Sequence, residues 1–428
     1  MLRPFPTHHS RRRTLRGHGY FKRLGPGIVT GAADDDPSGI GTYSQVGAAY
    51  GLGLVWSPLY VAPLAAAVQE MAARLGLCRG VGLASLIRER FPRVVLVVAV
   101  SLVAVANTFN IAADLASMGA SAHLVVPVPA AVLTVAMTVL MLGLEILVPY
   151  HRYAKVLRWL AGSLLAYLFV LASVDVDWSV VAHHALVPHL TGGRAGLAAL
   201  LAIFGTTVSP YLFFWQTSEE VEEEEVEEPG APASALAPPT DEHLRAMRID
   251  VVGGMVSACV IAFAIMVAAA ATLHTSGITT IQTADEAAQA LRPFAGDLAG
   301  LVFALGVVGL GLLAVPVLAG STAYAVSEAM SWHEGLSKRL RDARGFYIVI
   351  LFSMLVGLVL NFVGVDPIRG LYYAAILNGL TAPPLIVLMV LLARSRDMGE
   401  RRSGALSLTL SGIAIVVSTA LPIAYLAT

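Results

Sequence analysis

Apolar residues occur along this chain in long runs that are separated by short polar stretches. Eleven of these runs are each close to the ~20 residues that a helix needs to cross the hydrocarbon core of a bilayer. The runs cover residues 26–52, 54–76, 94–119, 128–149, 156–174, 197–217, 249–273, 296–330, 345–363, 367–394 and 404–427. The pattern therefore predicts an all-α polytopic membrane protein with eleven transmembrane helices.

The first run is interrupted in its middle by Asp34-Asp35-Asp36-Pro37-Ser38-Gly39. A charge at the centre of a bilayer costs roughly 2.5–3.5 kcal/mol, so this segment cannot face lipid. Proline removes a backbone donor and glycine frees the backbone dihedrals, which together favour a break in the helix. A break at membrane depth is tolerated only where it lines a cavity. We therefore predict that Asp36 faces a cation in such a cavity.

The sixth run has a similar interruption, with Gly205, Thr206, Thr207, Ser209 and Pro210 at its centre. Matching interruptions in two halves of a chain are typical of inverted repeats with a binding site between them. The carbonyls that a broken helix leaves free can coordinate cations. A plain proline kink is the alternative for the sixth run, but a kink does not explain the carboxylate in the first.

These interruptions divide the chain into two repeats of five helices and one additional helix. We predict a first repeat over 25–195, a second over 196–394 and an eleventh helix within 395–428, after a basic segment at 1–24.

Composition agrees with a membrane protein and narrows its partners. Hydrophobic residues make up 57% of the chain and charged residues 13%, whereas soluble domains have about 25% charged residues. The net charge of −1 gives no global attraction to nucleic acid. Two cysteines, Cys78 and Cys259, are too few for a disulfide scaffold. Residues 1–24 are basic and have no apolar core, so we expect no cleavable signal peptide.

The basic residues predict an orientation. If the N-terminus is cytoplasmic, 25 of the 28 Lys and Arg residues fall in segments on the inner side, as the positive-inside rule requires. We therefore expect an inner or plasma membrane protein with its C-terminus outside. An acidic segment at 219–240, with eight Glu among residues 219–228, would then be cytoplasmic. It is either a solvated helix end and linker or a negative funnel that concentrates cations.

Several short motifs resemble those of the Nramp divalent-metal transporters. They are Gly25-Pro26-Gly27, Asp36-Pro37-Ser38-Gly39, Gln69, Ala73-Arg74-Leu75-Gly76, Ala113-Asp114-Leu115-Ala116 and Gly205-Thr206-Thr207-Val208-Ser209-Pro210. The resemblance implies a LeuT-type fold, alternating access, and an ion bound between the unwound parts of the first and sixth helices. The metal would be the transported substrate and not a cofactor. We expect the chain to work as a monomer in the lipid bilayer.

The resemblance assigns the metal to Asp36, Gly39, Thr206 and Ser209, with two departures from the family pattern. The family has Asp-Pro-Gly-Asn in the first helix, whereas Gly39 stands here in place of Asn. The family has Ala-x-x-Met-Pro-His in the sixth helix, whereas Thr206, Ser209 and Tyr211 stand here for Ala, Met and His.

These departures bear on which ion is carried. Loss of the Met sulfur removes a ligand that favours soft transition metals and leaves hard oxygen. Mg²⁺ prefers oxygen and keeps several of its waters. We predict a carrier of partly hydrated Mg²⁺ that also takes Mn²⁺, similar to the Nramp-related magnesium transporters.

Proton coupling is not expected. The resemblance places Tyr211 and Gln216 where the family has histidines, and Ser117 where it often has Glu, although Asp114 remains. The sequence predicts every histidine in a loop or at a helix end, so no imidazole relay crosses the membrane. We expect uptake driven by the membrane potential. The alternative is a proton-coupled Mn²⁺/Fe²⁺ transporter with a divergent site.

Two other classes of function fit less well. An intramembrane aspartyl protease would need Asp36 and Asp114 to share a proton, and would leave the paired interruptions unexplained. A carrier of organic solutes would want aromatic and amide groups at its site, and the acidic motif argues against it. We therefore predict no enzyme activity and no cofactor.

Overall fold

The computed structural model describes residues 26–148, 165–174, 176–227, 238–363 and 366–427. Every regular element within these ranges is a helix. The predicted N-terminal segment 1–24 lies outside the described residues, as do Gly25, the first part of the fifth run and residues 228–237 of the acidic segment.

The first half of the chain forms nine helices in the described ranges. They are α1 (Pro26–Asp34), α2 (Pro37–Tyr50), α3 (Ser57–Arg79), α4 (Leu83–Arg90), α5 (Arg93–His123), α6 (Ala130–Leu147), α7 (Leu165–Ser173), α8 (Trp178–Leu186) and α9 (Gly193–Thr207). The chain thus has a helix end at Asp34 and a new start at Pro37, within the first predicted run.

The second half begins with a helix that follows α9 after two residues. Its helices are α10 (Pro210–Glu227), α11 (Asp241–Ala269, continued as a π-helix over Ala270–His274), α12 (Ala284–Ala288), α13 (Arg292–Ala295), α14 (Ala299–Met330), α15 (Arg344–Leu360), α16 (Pro367–Ala393) and α17 (Ala405–Ala427). Short 3₁₀ segments cover Gln289–Leu291, Gly296–Leu298, Asn361–Val363 and Arg396–Arg401.

Seven helical segments in the described part of the chain are long and apolar enough to cross a membrane, and α15 is apolar but shorter. The segment from Gly193 to Val226, which contains α9 and α10, counts as one of the seven. The all-helical membrane class is therefore confirmed, whereas this criterion gives fewer membrane crossings than the eleven that the sequence predicts.

Glycines let the first helix approach α11 closely. A β-carbon added at Gly254 would lie 2.2 Å from the carbonyl oxygen of Gly27, and one at Gly31 would lie 2.4 Å from the carbonyl of Gly254. Small residues at such positions let helices pack backbone to backbone in membranes. Asp250 adds a polar contact, since its carboxylate accepts the Gly27 N–H at 2.7 Å. The start of α1 is thereby fixed to α11.

Buried amides link α5 to two other helices. Asn110 and Asn378 exchange hydrogen bonds between α5 and α16, at 2.9 and 3.3 Å. Asn107 donates to the carbonyl of Leu318 at 3.1 Å and to Thr322 at 2.9 Å, both in α14. These buried amides therefore tie α5 to α14 and to α16.

The acidic end of α10 is partly buried. Glu220 is 2% exposed and Glu224 9% exposed, so a fully solvated helix end is the wrong description of these residues. Glu222 accepts the N–H of Leu336 at 2.9 Å and also accepts the Ser337 N–H and the Tyr324 hydroxyl. This carboxylate therefore holds the segment 331–343, which joins α14 to α15, against α10.

Glu328, for which the sequence suggests no partner, is satisfied near the same segment. Its carboxylate accepts the Ser218 hydroxyl at 2.7 Å and the Ser85 N–H at 2.9 Å. Arg88 donates to the carbonyl of Glu328 and to the Ser331 hydroxyl. The three elements α4, α10 and α14 are thus joined through one buried carboxylate.

The close approach of α1 and α11 predicts different effects at two adjacent glycines. Gly254→Ala would press a methyl group against the backbone of Gly27, and we expect it to lower the free energy of unfolding by roughly 1–3 kcal/mol. At Gly253 an added β-carbon meets nothing within 4 Å. Gly253→Ala should be neutral, or stabilising by up to ~1 kcal/mol through helix propensity. Thermal unfolding of both variants in detergent measures this, and equal melting temperatures would contradict the close packing.

Glu334, in the segment 331–343, predicts a pH dependence of stability. Burial, followed by the charge of Glu328, raises the pKa of Glu334 from 4.5 to about 9, although Lys338 and Arg88 lower it in part. The folded chain then keeps a proton that the unfolded chain loses above about pH 4.5. Stability should therefore fall as the pH rises from about 4.5 to about 9.

The variant Glu334→Gln should flatten this slope and raise the melting temperature at about pH 9, because an amide does not ionise. Melting curves recorded between about pH 5 and 9 measure the difference. Glu225→Gln is the control, since Glu225 is a third exposed and pairs with Lys338 at 3.7 Å. A slope in Glu334→Gln as steep as in the wild type would contradict the assignment.

Candidate functional site

Asp36 lies in the gap between α1 and α2 and forms the N-cap of α2. Its Oδ1 accepts the Gly39 N–H at 2.8 Å and the Ser38 hydroxyl at 2.5 Å. Pro37 follows as the first helical residue, a position where its missing N–H leaves no bond unmade. Asp36 as N-cap and Pro37 as first helical residue therefore start α2 at this point. Asp36 is 1% exposed, so the cap also places a carboxylate inside the bundle.

A second gap, Val208 and Ser209, separates α9 from α10. The Ser209 hydroxyl donates to the carbonyls of Gly205 at 2.9 Å and Thr206 at 2.8 Å. These carbonyls belong to the last turn of α9, where a helix leaves its carbonyls without intrahelical partners. Pro210 has no N–H to offer them. The Ser209 side chain therefore satisfies two carbonyls at the end of α9 that lie only three and four residues before it.

The two gaps face each other across the bundle. The Ser38 and Thr206 hydroxyls are 3.3 Å apart. Tyr211, in the first turn of α10, donates to the carbonyl of Ala33 at 2.9 Å and to Oδ2 of Asp36 at 3.3 Å. The end of α1 and the start of α2 are thereby held against the start of α10 by groups that also surround the Asp36 carboxylate.

Gly39 faces the space between the gaps. A β-carbon built on it would lie 3.4 Å from the carbonyl of Asp34, 3.6 Å from the Thr206 hydroxyl and 3.3 Å from the ring of Tyr43. A side chain at this position would therefore point toward oxygens of both gaps. Because a β-carbon here would already press on the Tyr43 ring, the space beside Gly39 is narrow in this conformation.

The structure brings three of the four predicted site residues together: Asp36, Gly39 and Thr206. Ser209 lies in the same gap, but its hydroxyl hydrogen is directed to the carbonyls of its own helix and not toward Asp36. Sequence reasoning missed Ser38, whose hydroxyl touches both Asp36 and Thr206. The sequence signal that could have identified Ser38 was its position between Pro37 and Gly39, inside the first interruption.

Three further carboxylates lie near the gap. Asp34, Asp35 and Asp114 are 1%, 5% and 0% exposed. Within the described ranges, both carboxylate oxygens of Asp34 and Asp114 and one of Asp35 have no hydrogen-bond partner. The structure places both Asp34 and Asp35 inside the protein. A buried carboxylate without donors is costly in its charged form unless a cation or a proton compensates it.

The arrangement offers oxygen ligands and few charged ones. No three His, Cys, Asp or Glu side chains among the described residues converge in a way that could hold a metal ion. A cation at Asp36 would therefore depend on hydroxyl, carbonyl and water oxygens for the rest of its coordination. Oxygen donors of this kind suit hard divalent ions better than soft ones.

Comparison with known proteins places the chain in a family. The family model "Natural resistance-associated macrophage protein-like" (Nramp) matches residues 27–428. The divalent metal cation transporter MntH of Yersinia pestis (strain Pestoides F) is 30% identical over 300 residues, which are 68% of each chain. MntH of Erwinia tasmaniensis is 28% identical over 409 residues, 94% of this chain and 93% of its own.

Solved structures show the same fold. A manganese transporter from Eremococcus coleocola superposes with a TM-score of 0.72 at 18% identity, covering 95% of this chain and 87% of its own. The transporter MhsT gives a TM-score of 0.60 at 11% identity, covering 94% of this chain and 98% of its own. At such low identities these structures show the fold alone, which is that of LeuT-type transporters.

These relatives are metal-ion transporters and not enzymes, which confirms the sequence-based expectation, and in this family the metal is the substrate and not a cofactor. The seven long apolar segments agree with a protein embedded in a membrane. The match over residues 27–428 covers nearly the whole chain, and the chain therefore belongs to the Nramp family of divalent metal cation transporters.

Proposed function

We propose that this chain carries partly hydrated Mg²⁺, and also Mn²⁺, across the membrane by alternating access without moving protons. The observation that supports this most directly is the pair of facing gaps. They place the Asp36 carboxylate, the Thr206 hydroxyl and the Asp34 carbonyl around a position that has no side chain, Gly39. We propose Asp36, Gly39, Thr206 and Ser209 as the metal site, with Ser209 contributing its oxygen lone pairs or the carbonyls beside it.

The proposed architecture is two inverted repeats of five helices and an eleventh helix. In it α1 and α2 are the two parts of the first transmembrane helix, and α9 and α10 those of the sixth. Helix contacts support this pairing: α2 packs on α11 as α10 packs on α3. The second helix α3 packs on the seventh, α11, and the third helix α5 packs on the eighth, α14. Inverted repeats place equivalent helices against each other in this way.

The donors in the gaps support a preference for Mg²⁺. The side chains there offer oxygen, and Gly39 has no side chain at the position that carries Asn in the family motif. Mg²⁺ dehydrates reluctantly and usually keeps several waters, so a site with one committed carboxylate and neutral oxygens suits it. Mn²⁺ accepts the same oxygen ligands. Binding should be weak, because the ion gives up little of its water.

Transport without protons follows from the groups that replace the family's histidines. The Tyr211 hydroxyl is bonded to Ala33 and Asp36. Gln216 accepts the Thr30 hydroxyl at 2.5 Å and donates to Glu220 at 2.9 Å. Neither side chain takes up a proton near neutral pH. With the N-terminus inside, a divalent ion that enters across 100 mV gains roughly 4.6 kcal/mol, twice the value for one charge.

The second candidate is a proton-coupled Mn²⁺/Fe²⁺ transporter, and one observation favours it. Asp114 is fully buried beside the site, and its carboxylate oxygens have no hydrogen-bond partner in the described part of the chain. Such a group could carry a proton in exchange with the metal. Uptake into vesicles that contain a pH indicator separates the candidates, since proton influx accompanies metal entry only in the second.

The proposed setting is the plasma (inner) membrane, with a cytoplasmic N-terminus, an outer C-terminus and a single chain as the working unit. The distribution of Lys and Arg supports this orientation.

Replacing Asp36 should abolish metal binding. We expect Asp36→Ala to lower the affinity for Mg²⁺ at least about tenfold, equivalent to ~1.4 kcal/mol, because the committed carboxylate is lost. Calorimetric titration of the purified protein with Mg²⁺, Mn²⁺ and Ca²⁺ measures this. Asp366→Ala is the matched control, because Asp366 caps α16 before Pro367 as Asp36 caps α2 before Pro37.

The control separates loss of a ligand from loss of a helix cap. Asp366→Ala should bind Mg²⁺ as the wild type does, even if it melts at a lower temperature. Unchanged binding in Asp36→Ala, or equal losses in both variants, would contradict the proposed site.

Restoring the family's ligands should change which ion is preferred. In the double variant with Gly39→Asn and Ser209→Met, an amide replaces a hydrogen atom and a thioether replaces a hydroxyl. We expect the Mn²⁺ to Mg²⁺ affinity ratio to rise several-fold, since softer ligands favour transition metals. Competition between the two ions in the same uptake assay measures the ratio. A ratio unchanged from the wild type would count against the argument from ligand softness.

A further inference from the structure

A cavity of about 410 Å³ lies between α3, α11 and α17, away from the metal site. Its wall is mostly apolar: Pro63, Ala66 and Ala67 of α3, Val252 of α11, and Ala405, Leu406 and Leu410 of α17. Leu406 is 74% exposed and Val252 is 38% exposed, so this apolar wall continues onto the outer surface of the bundle. Cavities of roughly 300–1,000 Å³ with apolar walls and a few polar groups are typical of ligand sites.

The polar end of the cavity has a net positive charge. Glu70 already accepts Arg74 at 2.5 Å and the Ser407 hydroxyl at 3.1 Å. Arg248 approaches the same carboxylate only at 3.4 Å, and its side chain is 55% exposed. One carboxylate is therefore shared by two guanidinium groups. The exposed guanidinium of Arg248 keeps donors that can bind a further anion.

The charged end also lies at the right depth for a lipid headgroup. Glu70 precedes the end of α3 at Arg79, Arg248 follows the start of α11 at Asp241, and α17 starts at Ala405. At 1.5 Å per residue, both charged side chains lie within roughly 14 Å of a helix end. Long basic side chains at such positions extend toward the interface while their stems stay in apolar surroundings. The apolar wall continues from there along Val252 and Leu410 toward the middle of the helices.

We propose that this cavity binds one anionic phospholipid, with its phosphate on Arg248 and an acyl chain along Val252, Leu406 and Leu410. Basic pockets between transmembrane helices are suited to acidic lipid headgroups. The inference requires only that the chain spans a membrane, and it is independent of which ion is carried. A lipid in this position bridges α3, α11 and α17 and would fix the eleventh helix to the two repeats.

The test compares two lipids that differ only in headgroup charge. Purified full-length protein in detergent is mixed with phosphatidylglycerol or phosphatidylcholine of the same acyl chains, and bound lipid is counted by native mass spectrometry. We expect phosphatidylglycerol to bind about fivefold more tightly, which is the gain in affinity that roughly one basic residue provides toward an anionic lipid. Arg248→Gln should remove the preference, whereas Arg248→Lys should keep it. Arg245→Gln, the same change one turn away on α11 and outside the cavity wall, should also keep it.

A second variant tests the apolar part. A β-carbon at Gly404 meets nothing within 4 Å, so Gly404→Phe can fill the cavity without disturbing the fold. It should reduce the binding of both lipids. Equal binding of the two lipids by the wild type, an unchanged preference in Arg248→Gln, or full binding in Gly404→Phe would overturn the proposal. Glycerol phosphate that competes as well as the intact lipid would overturn it too, by showing a site for a free anion.

Discussion

The carboxylate of Asp36 is the constraint on which the rest of the structure depends. A buried charge is costly unless donors or a counter-ion compensate it. Here the compensation comes from the Ser38 hydroxyl, the Gly39 N–H and, across the bundle, the Tyr211 hydroxyl. Because these donors belong to two segments far apart in sequence, satisfying one carboxylate also aligns the two gaps. These three donors leave the carboxylate further lone pairs, which a cation bound at the proposed site would use.

The helices around the gaps pack closely against their neighbours. Gly27, Gly31 and Gly254 bring α1 and α11 into backbone contact. Gly205 likewise brings α9 close to α16, because a β-carbon added at Gly205 would lie 2.1 Å from the carbonyl of Ala375. One part of each interrupted helix is thereby fixed to a neighbour. The polar links at the far ends, through Glu222 and Glu328, hold the connecting segments. Rigid support of this kind keeps the oxygens of the gaps in place, although each of them is a weak ligand alone.

Weak ligands are also what transport needs. A site that bound Mg²⁺ through many carboxylates would hold the ion too firmly to release it, since conduction and transport require an ion to leave as readily as it enters. In the proposed site, one committed carboxylate, neutral oxygens and the ion's own water would give attraction with little cost of dehydration.

The sequence by itself determined the helical class and the interruption between Asp34 and Gly39, because hydrophobic run length and proline act within a few residues. It also indicated the Glu70–Arg74 pair, which is one helical turn apart. Only the tertiary structure decided that Gly39 faces Thr206 and that Glu328 meets Ser218 and Ser85. These outcomes depend on where helices separated by more than a hundred residues cross, and no local pattern carries that information.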